Sequence, residues 1–192
     1  HPLPWPLGDE FDPEYLEQGD RRNILDKYRY WKTKAIKADL QTTRASVEVA
    51  IENWQHDLNI GSLVRTSNAI NVRRFHIIGK KHWNQHGALM TDKYLDLMHH
   101  PTIEEFLEYM KTSGFPLICF ENNTMSQPLE TFIFPKDPVL AFGNEGLGMS
   151  DELLSAATHV VHISQFGSVR SINASAAGAI ALFEWHRQNY SQ

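Results

Sequence analysis

From Ser46 onward, short apolar runs alternate with stretches of helical length, and few architectures accommodate that alternation. Val47, Val49 and Ile51 alternate as a strand does. Ile60–Ile70 reads as a helix after the polar turn Gln55-His56-Asp57, and Arg74–Ile78 as a short strand ending at Gly79. Ile103–Thr112 reads as a helix with Gly114 at its C-terminal cap. Leu117–Phe120 and Val139–Phe142 have the length and composition of buried strands. Asp151–Ala157 follows as a helix, His159–Ile163 as a strand and Asn173–Gln188 as an Ala-rich closing helix. The order predicts an α/β domain: a mainly parallel sheet with flanking helices. Lys80–Pro101 is polar and His-rich and carries no period to assign.

At 192 residues the chain has room for one ordinary domain and an appendage. Its one cysteine, Cys119, excludes a disulfide framework and any cysteine-rich zinc site. No apolar run has the length of a membrane span, and nothing resembles a signal peptide, so a cytoplasmic location is expected. The appendage is residues 1–44 and the main domain residues 45–192. Residues 1–20 carry six acids and no Lys or Arg, and their prolines (Pro2, Pro4, Pro6 and Pro13) predict an extended arm. Residues 21–44 reverse the charge, with eight bases against two acids. Ile24, Tyr28, Trp31 and Ala35 fall on one side of a helix predicted over 21–40. Bases beside aromatics suit a phosphate backbone with bases to stack on, but the residues by themselves favour a solvated amphipathic helix. Arg21, Arg22, Arg29 and Lys32 are the expected RNA contacts. Arg73, Arg74, Lys80 and Lys81 are expected to extend that surface, together with His82, His86, His99 and His100. These histidines could in principle build a metal site, but the surrounding loop residues and the lack of a nearby acidic ligand argue against it, and no metal is expected.

Three clusters could carry chemistry. Asn59-Ile60-Gly61-Ser62-Leu63-Val64-Arg65 opens a helix just after a strand, where open α/β sheets bind ligands. Asn59 and Arg65 stand six apart, close enough to share one ligand. In Phe142-Gly143-Asn144-Glu145-Gly146-Leu147-Gly148 a buried strand runs into three glycines around one carboxylate. This is neither a P-loop nor the dinucleotide fingerprint. In Ile163 through Gly178 a strand end passes through a Gly-Ser loop into a helix of very small residues, with Ser171 and Asn173 at the helix start.

In this order and spacing the three clusters resemble the SpoU (TrmH) branch of the SPOUT RNA methyltransferases, over about residues 46–188. Asn59 and Arg65 match the first motif, Gly143 and Glu145 the second, and Ser171-Ile172-Asn173-Ala174-Ser175 the third. Ser164 stands where the family usually has proline. The resemblance implies a deep C-terminal trefoil knot, which patterning alone does not show, and a homodimer. It implies S-adenosyl-L-methionine held by Gly143, Ile163, Ile172 and Glu121. Asn59, Arg65, Glu145, Ser171 and Asn173 become the expected catalytic residues for methyl transfer to a ribose 2′-hydroxyl. Because a guanidinium stays protonated, Arg65 is read as an electrostatic group rather than a base. Transfer RNA is the first expected substrate and 23S rRNA the second. A non-catalytic RNA-binding protein of the same fold is the rival reading.

Overall fold

The computed structural model describes residues 1–54, 59–144 and 146–190. Its centre is a seven-stranded parallel sheet: β1 (Glu48–Asn53), β2 (Phe75–Gly79), β3 (Leu97–His100), β4 (Leu117–Phe120), β5 (Gln127–Pro128), β6 (Val139–Phe142) and β7 (His159–His162). The strands run in the order β3-β2-β1-β6-β4-β7-β5. β6 pairs with both β1 and β4, setting Ala141 between Ala50 and Cys119. Every strand expected from the apolar runs is present. Two edge strands come in addition. β3 carries His99 and His100 where apolar alternation would be sought, and β5 is only two residues long.

Successive side chains of a strand point to opposite faces, and both faces here are covered. Val49, Ile51, Phe75, Ile118, Leu140 and Phe142 pack under α3 (Asn59–Ala69) and α6 (Ala174–Tyr190). Ala50, Ile78, Cys119 and Ala141 face α4 (Ile103–Ser113) and α5 (Asp151–Ala156). α4 is capped at its start by Thr102, whose hydroxyl accepts from the Glu105 N–H, and at its end by Gly114 in the left-handed region. α6 lies close on α3 because Gly178 presents no side chain to Leu63. Trp185 of α6 is fully buried in the same cluster, a contribution of roughly 2–3 kcal/mol.

The second face also buries charge. Glu48 and Glu52 of β1 are both fully buried. Glu48 accepts from Arg73 Nε at 2.7 Å and from the Tyr109 hydroxyl at 2.7 Å, and lies 3.0 Å from His76 Nε2. His76 Nδ1 in turn meets His100 Nε2 at 2.9 Å. Burial opposes ionisation of Glu48, but the hydrogen bonds from His76, Tyr109 and Arg73 outweigh it and bring the carboxyl down to about 2. Burial, reinforced by His76 and His99, brings His100 down to about 4. A histidine that ionises less readily folded than unfolded contributes stability above its ordinary value near 6.5. That contribution is lost as pH falls towards 4. The loss is about 3 kcal/mol at most, since one unit corresponds to ~1.4 kcal/mol. Denaturant unfolding at pH 7, 5.5 and 4 is expected to show this slope. His100→Gln is expected to be less stable at pH 7 but flatter across that window; an unchanged slope would remove His100 as its source.

Residues 1–44 fold differently from expectation. The arm contains α1 (Pro13–Gln18), capped by Asp12 with proline at the first helical position. The single helix expected over 21–40 is replaced by a 3-10 turn (Asp26–Tyr28) and α2 (Thr33–Gln41). Tyr30 takes a φ of +66°, which no α-helix tolerates. Its N–H donates to the Asp20 carboxylate, and Phe11 forms an antiparallel bridge with Trp31. The aromatic side chains that suggested one helical face instead form a small core, Tyr28 and Ile36 packing with Tyr94 of the sheet domain. Arg44 ties the segment down by donating to Asn71 Oδ1 and to the Tyr94 carbonyl.

Candidate active site

The ends of β4, β6 and β7 open into one cavity of about 350 Å³. Gly143 follows β6, Glu121 follows β4, Ile163 follows β7, and Ser171, Ile172 and Asn173 precede α6. All six line the cavity. Residues more than fifty positions apart in the chain thus meet at the carboxyl ends of parallel strands, where α/β sheets bind ligands.

Close-packed backbone shapes the side of the cavity at Gly143. A Cβ on Gly143 would stand 2.5 Å from the Gly148 carbonyl carbon and the Met149 nitrogen. The loop therefore folds back on Gly143, and Asn144 and Gly148 exchange backbone hydrogen bonds at 3.0 and 2.9 Å. Gly146 and Gly148 both have positive φ, which lets the loop turn so tightly. Two carboxylates clamp its far end: Glu121 Oε2 accepts from the Met149 N–H at 3.1 Å, and Glu52 Oε2 accepts from the Ser150 N–H at 2.9 Å. Sequence reasoning does not single out Glu52. A buried acid in a strand is a signal only once its partner, 98 residues away, is known.

The first and third clusters are joined directly. Asn173 Nδ2 donates to Asn59 Oδ1 at 2.5 Å. Asn173 Oδ1 accepts from the N–H groups of Ser175 and Ala176, so the residue also caps α6. Asn59 is the first residue of α3 and is buried; Arg65, further along α3, is exposed. Arg65 does not line the cavity and has no hydrogen-bond or ion-pair partner among the described residues. Ser171 is exposed at the cavity rim. Glu145 and the turn Gln55-His56-Asp57 lie outside the described residues.

The expected RNA contacts separate into two groups. Arg21, Lys32, Lys80 and Lys81 are exposed, although Lys32 Nζ reaches the Asp9 carbonyl at 2.8 Å. Arg22 turns inward instead, its guanidinium 2.6 Å from the fully buried side chain of Asp20. Burial would raise the Asp20 carboxyl, but the hydrogen bonds from Arg22 and Tyr30 bring it down to about 2. Arg29 donates to the carbonyls of Asp20 and Arg22. Arg73 pairs with Glu48 and lies over the Phe115 ring; Arg74 reaches Asp96 and the Tyr109 hydroxyl. His100 is buried and His99 bonds the Gly79 carbonyl, so neither joins a basic surface as expected. Buried acids drew Arg22 and Arg73 inward, while Arg29 and His99 are held by backbone carbonyls, pairings that linear charge counts do not reveal.

The cavity lies within the roughly 300–1,000 Å³ usual for small-molecule sites. A loop of close-packed backbone suits a ligand with many polar edges and one apolar body. Among the described residues no group of three His, Cys, Asp or Glu is arranged to hold a metal ion.

Residues 46–183 match the SpoU rRNA Methylase family. A relative in Thermus thermophilus, named tRNA (guanosine(18)-2′-O)-methyltransferase, is 27% identical over 165 residues, which cover 82% of each chain. A relative of the same name in Aquifex aeolicus is 26% identical over 86% of this chain and 78% of its own. The crystal structure of the A. aeolicus TrmH/SpoU tRNA modifying enzyme superposes with a TM-score of 0.73 at 25% identity, covering 83% of each chain. An AdoMet-bound rRNA methyltransferase from Sinorhizobium meliloti shares the fold, with a TM-score of 0.69 at 22% identity over 80% of this chain and 60% of its own.

Proposed function

Because the chain belongs to the SpoU rRNA Methylase family, we propose that it transfers a methyl group from S-adenosyl-L-methionine to a ribose 2′-hydroxyl of RNA, with tRNA as the substrate. The names of the relatives in T. thermophilus and A. aeolicus favour tRNA over 23S rRNA. The observation that carries the reading is the convergence of Gly143, Ile163, Ile172 and Glu121 on one cavity, with the Asn59–Asn173 hydrogen bond at its side.

S-adenosylmethionine, when bound, supplies a methyl group already activated by a sulfonium charge. Gly143, Ile163 and Ile172 would hold it through backbone groups, and Glu121 would keep the 143–149 loop closed. The protein must then align the ribose oxygen and stabilise its negative charge as the proton leaves. Arg65 is suited to this as a fixed cation, since its guanidinium cannot act as a base near neutral pH. The proton passes to water or to a neighbouring phosphate oxygen. Asn59 and Asn173 hold the start of α3 against the start of α6, and Ser171 orients the phosphate. Glu145 is assigned to anchoring Arg65 or Asn59.

Arg65 lies outside the cavity of its own protomer, which supports a homodimer in which the site is completed by two chains. The exposed face of α6 offers the surface: Ile180 is 42% and Phe183 67% exposed. We infer a trefoil knot in the C-terminal half; the packing of α6 on α3, with β7 beyond β4 in the sheet, supports it.

Calorimetric titration with S-adenosylmethionine tests the cofactor assignment: saturable binding is expected, and no binding at millimolar cofactor, with and without tRNA, would defeat it. The RNA-facing role of residues 21–44 falls on bases that have no hydrogen-bond or ion-pair partner among the described residues. Replacing Arg21, Lys34 and Lys37 together with Ala is expected to lower the log–log salt slope of tRNA binding by about 2, at ~0.7 for each phosphate no longer neutralised. Arg22→Ala is expected instead to destabilise the protein by roughly 3 kcal/mol, because it strands the buried Asp20 carboxylate. A salt slope altered by Arg22→Ala but not by the triple variant would reverse the assignment.

A further inference from the structure

A second cleft, of about 240 Å³, lies between the N-terminal segment and the loop after β2, lined by Arg21, Arg22, Asn23, Leu89, Met90 and Tyr94. Leu89 and Met90 are consecutive non-glycine residues in the left-handed region, with φ of +46° and +65°. Each is also 50% exposed. A backbone strained in this way persists only where its surroundings fix it, and such strain clusters at ligand clamps. Here the surroundings are visible. Gly87 packs on the backbone of α3, where a Cβ would stand 2.9 Å from the Ser62 nitrogen; a Cβ on Gly61 would stand 2.8 Å from the Asn84 carbonyl oxygen. Thr91 Oγ1 donates to the Ala88 carbonyl at 2.6 Å. The fold therefore holds two large apolar side chains half out of the core, where burial would have been favourable.

The N-terminal segment supplies the other part of the lining. Arg21 is exposed and has no partner among the described residues, and Asn23 beside it is exposed as well. Lys93, exposed, closes the same turn by donating its N–H to the Met90 carbonyl. Exposed apolar side chains and the Arg21 guanidinium lining one cleft, with Lys93 beside it, fit an unstacked nucleobase whose flanking phosphates are negative. The strained turn sits on α3, the helix that bears Arg65, so a base gripped there is registered against the reacting centre.

We propose that this cleft receives one unstacked base of the RNA substrate, held between Leu89 and Met90 on one side and Arg21 on the other. The proposal rests on the RNA methyltransferase reading and adds a recognition subsite to it.

The test measures tRNA binding by fluorescence anisotropy, cofactor binding by calorimetry and the thermal midpoint of the full chain. Leu89→Gly with Met90→Gly removes the platform and suits the positive φ of both residues, so the midpoint is expected to hold or rise. The Kd for tRNA is expected to rise about tenfold, the scale of one stacking interaction, with cofactor affinity unchanged. Arg21→Ala, from the other wall, is expected to weaken tRNA binding too. Combined with the double glycine variant it is expected to add little, because both remove the same clamp. Unchanged tRNA affinity in the glycine variant, or fully additive losses, would overturn the subsite while leaving the RNA reading intact. A wild-type chain that binds neither tRNA nor rRNA would overturn both.

Discussion

Gly143→Ala is expected to raise the Kd for S-adenosylmethionine at least a hundredfold while leaving the sheet folded. The new Cβ would meet the backbone of Gly148 and Met149 at 2.5 Å. Backbone cannot rotate aside as a flexible side chain can, so the 143–149 loop must move outward. Two anchors resist that movement. Glu121 and Glu52 hold the N–H groups of Met149 and Ser150, and releasing them would leave a fully buried Glu52 short of a donor. Overpacking of this kind typically costs about 1–3 kcal/mol in stability. The effect on the cavity is larger, since Gly143, Asn144, Gly146 and Gly148 all line it and shift together. The check is paired: calorimetry for the cofactor and denaturant unfolding for the fold. Near-normal cofactor binding by Gly143→Ala would show that the cavity beside Gly143 is not the cofactor site.

Arg65→Ala is expected to lower kcat by about 10²- to 10³-fold, the usual result of removing one group that stabilises developing negative charge. Cofactor affinity is expected to stay unchanged, because Arg65 does not line the cavity. Stability is expected to stay within about 0.5 kcal/mol, because the side chain is exposed and has no partner to leave stranded among the described residues. Arg65→Lys is expected to recover little, since an ammonium cannot reproduce the guanidinium fork. A parallel loss of cofactor binding would make Arg65 a binding residue rather than a group acting on the reacting oxygen.

The parts of the fold legible in the sequence are those that a single stretch encodes. Leu117–Phe120 and Val139–Phe142 are apolar throughout because both sheet faces are covered, and both are strands. Gly114 follows the last turn of α4 and takes the left-handed cap its position requires. The clusters around Asn59, Gly143 and Asn173 are legible as places where strands hand over to loops and helices. What is not legible depends on partners distant in sequence. The basic run at 21–44 has the pattern of a cationic helix. Asp20 belongs by position to the acidic arm, yet it folds back to take Arg22 and the Tyr30 N–H. Nothing beside Glu48 in the sequence signals that it draws Arg73, His76 and Tyr109 into the core. The strand at Leu97–His100 is hidden because its buried histidine is satisfied by another histidine rather than by an apolar layer.

On the proposed function, this cavity and Arg65 together methylate a ribose of tRNA. The most direct measurement incubates the wild-type chain and Arg65→Ala with tritium-labelled S-adenosylmethionine and unmodified tRNA, then digests the product to nucleosides. Label is expected in a 2′-O-methylated nucleoside from the wild type, and about a hundredfold less or lower still from the variant. Label on a base instead of a ribose, equal transfer by Arg65→Ala, or no transfer to tRNA by a chain that binds the cofactor, would contradict it.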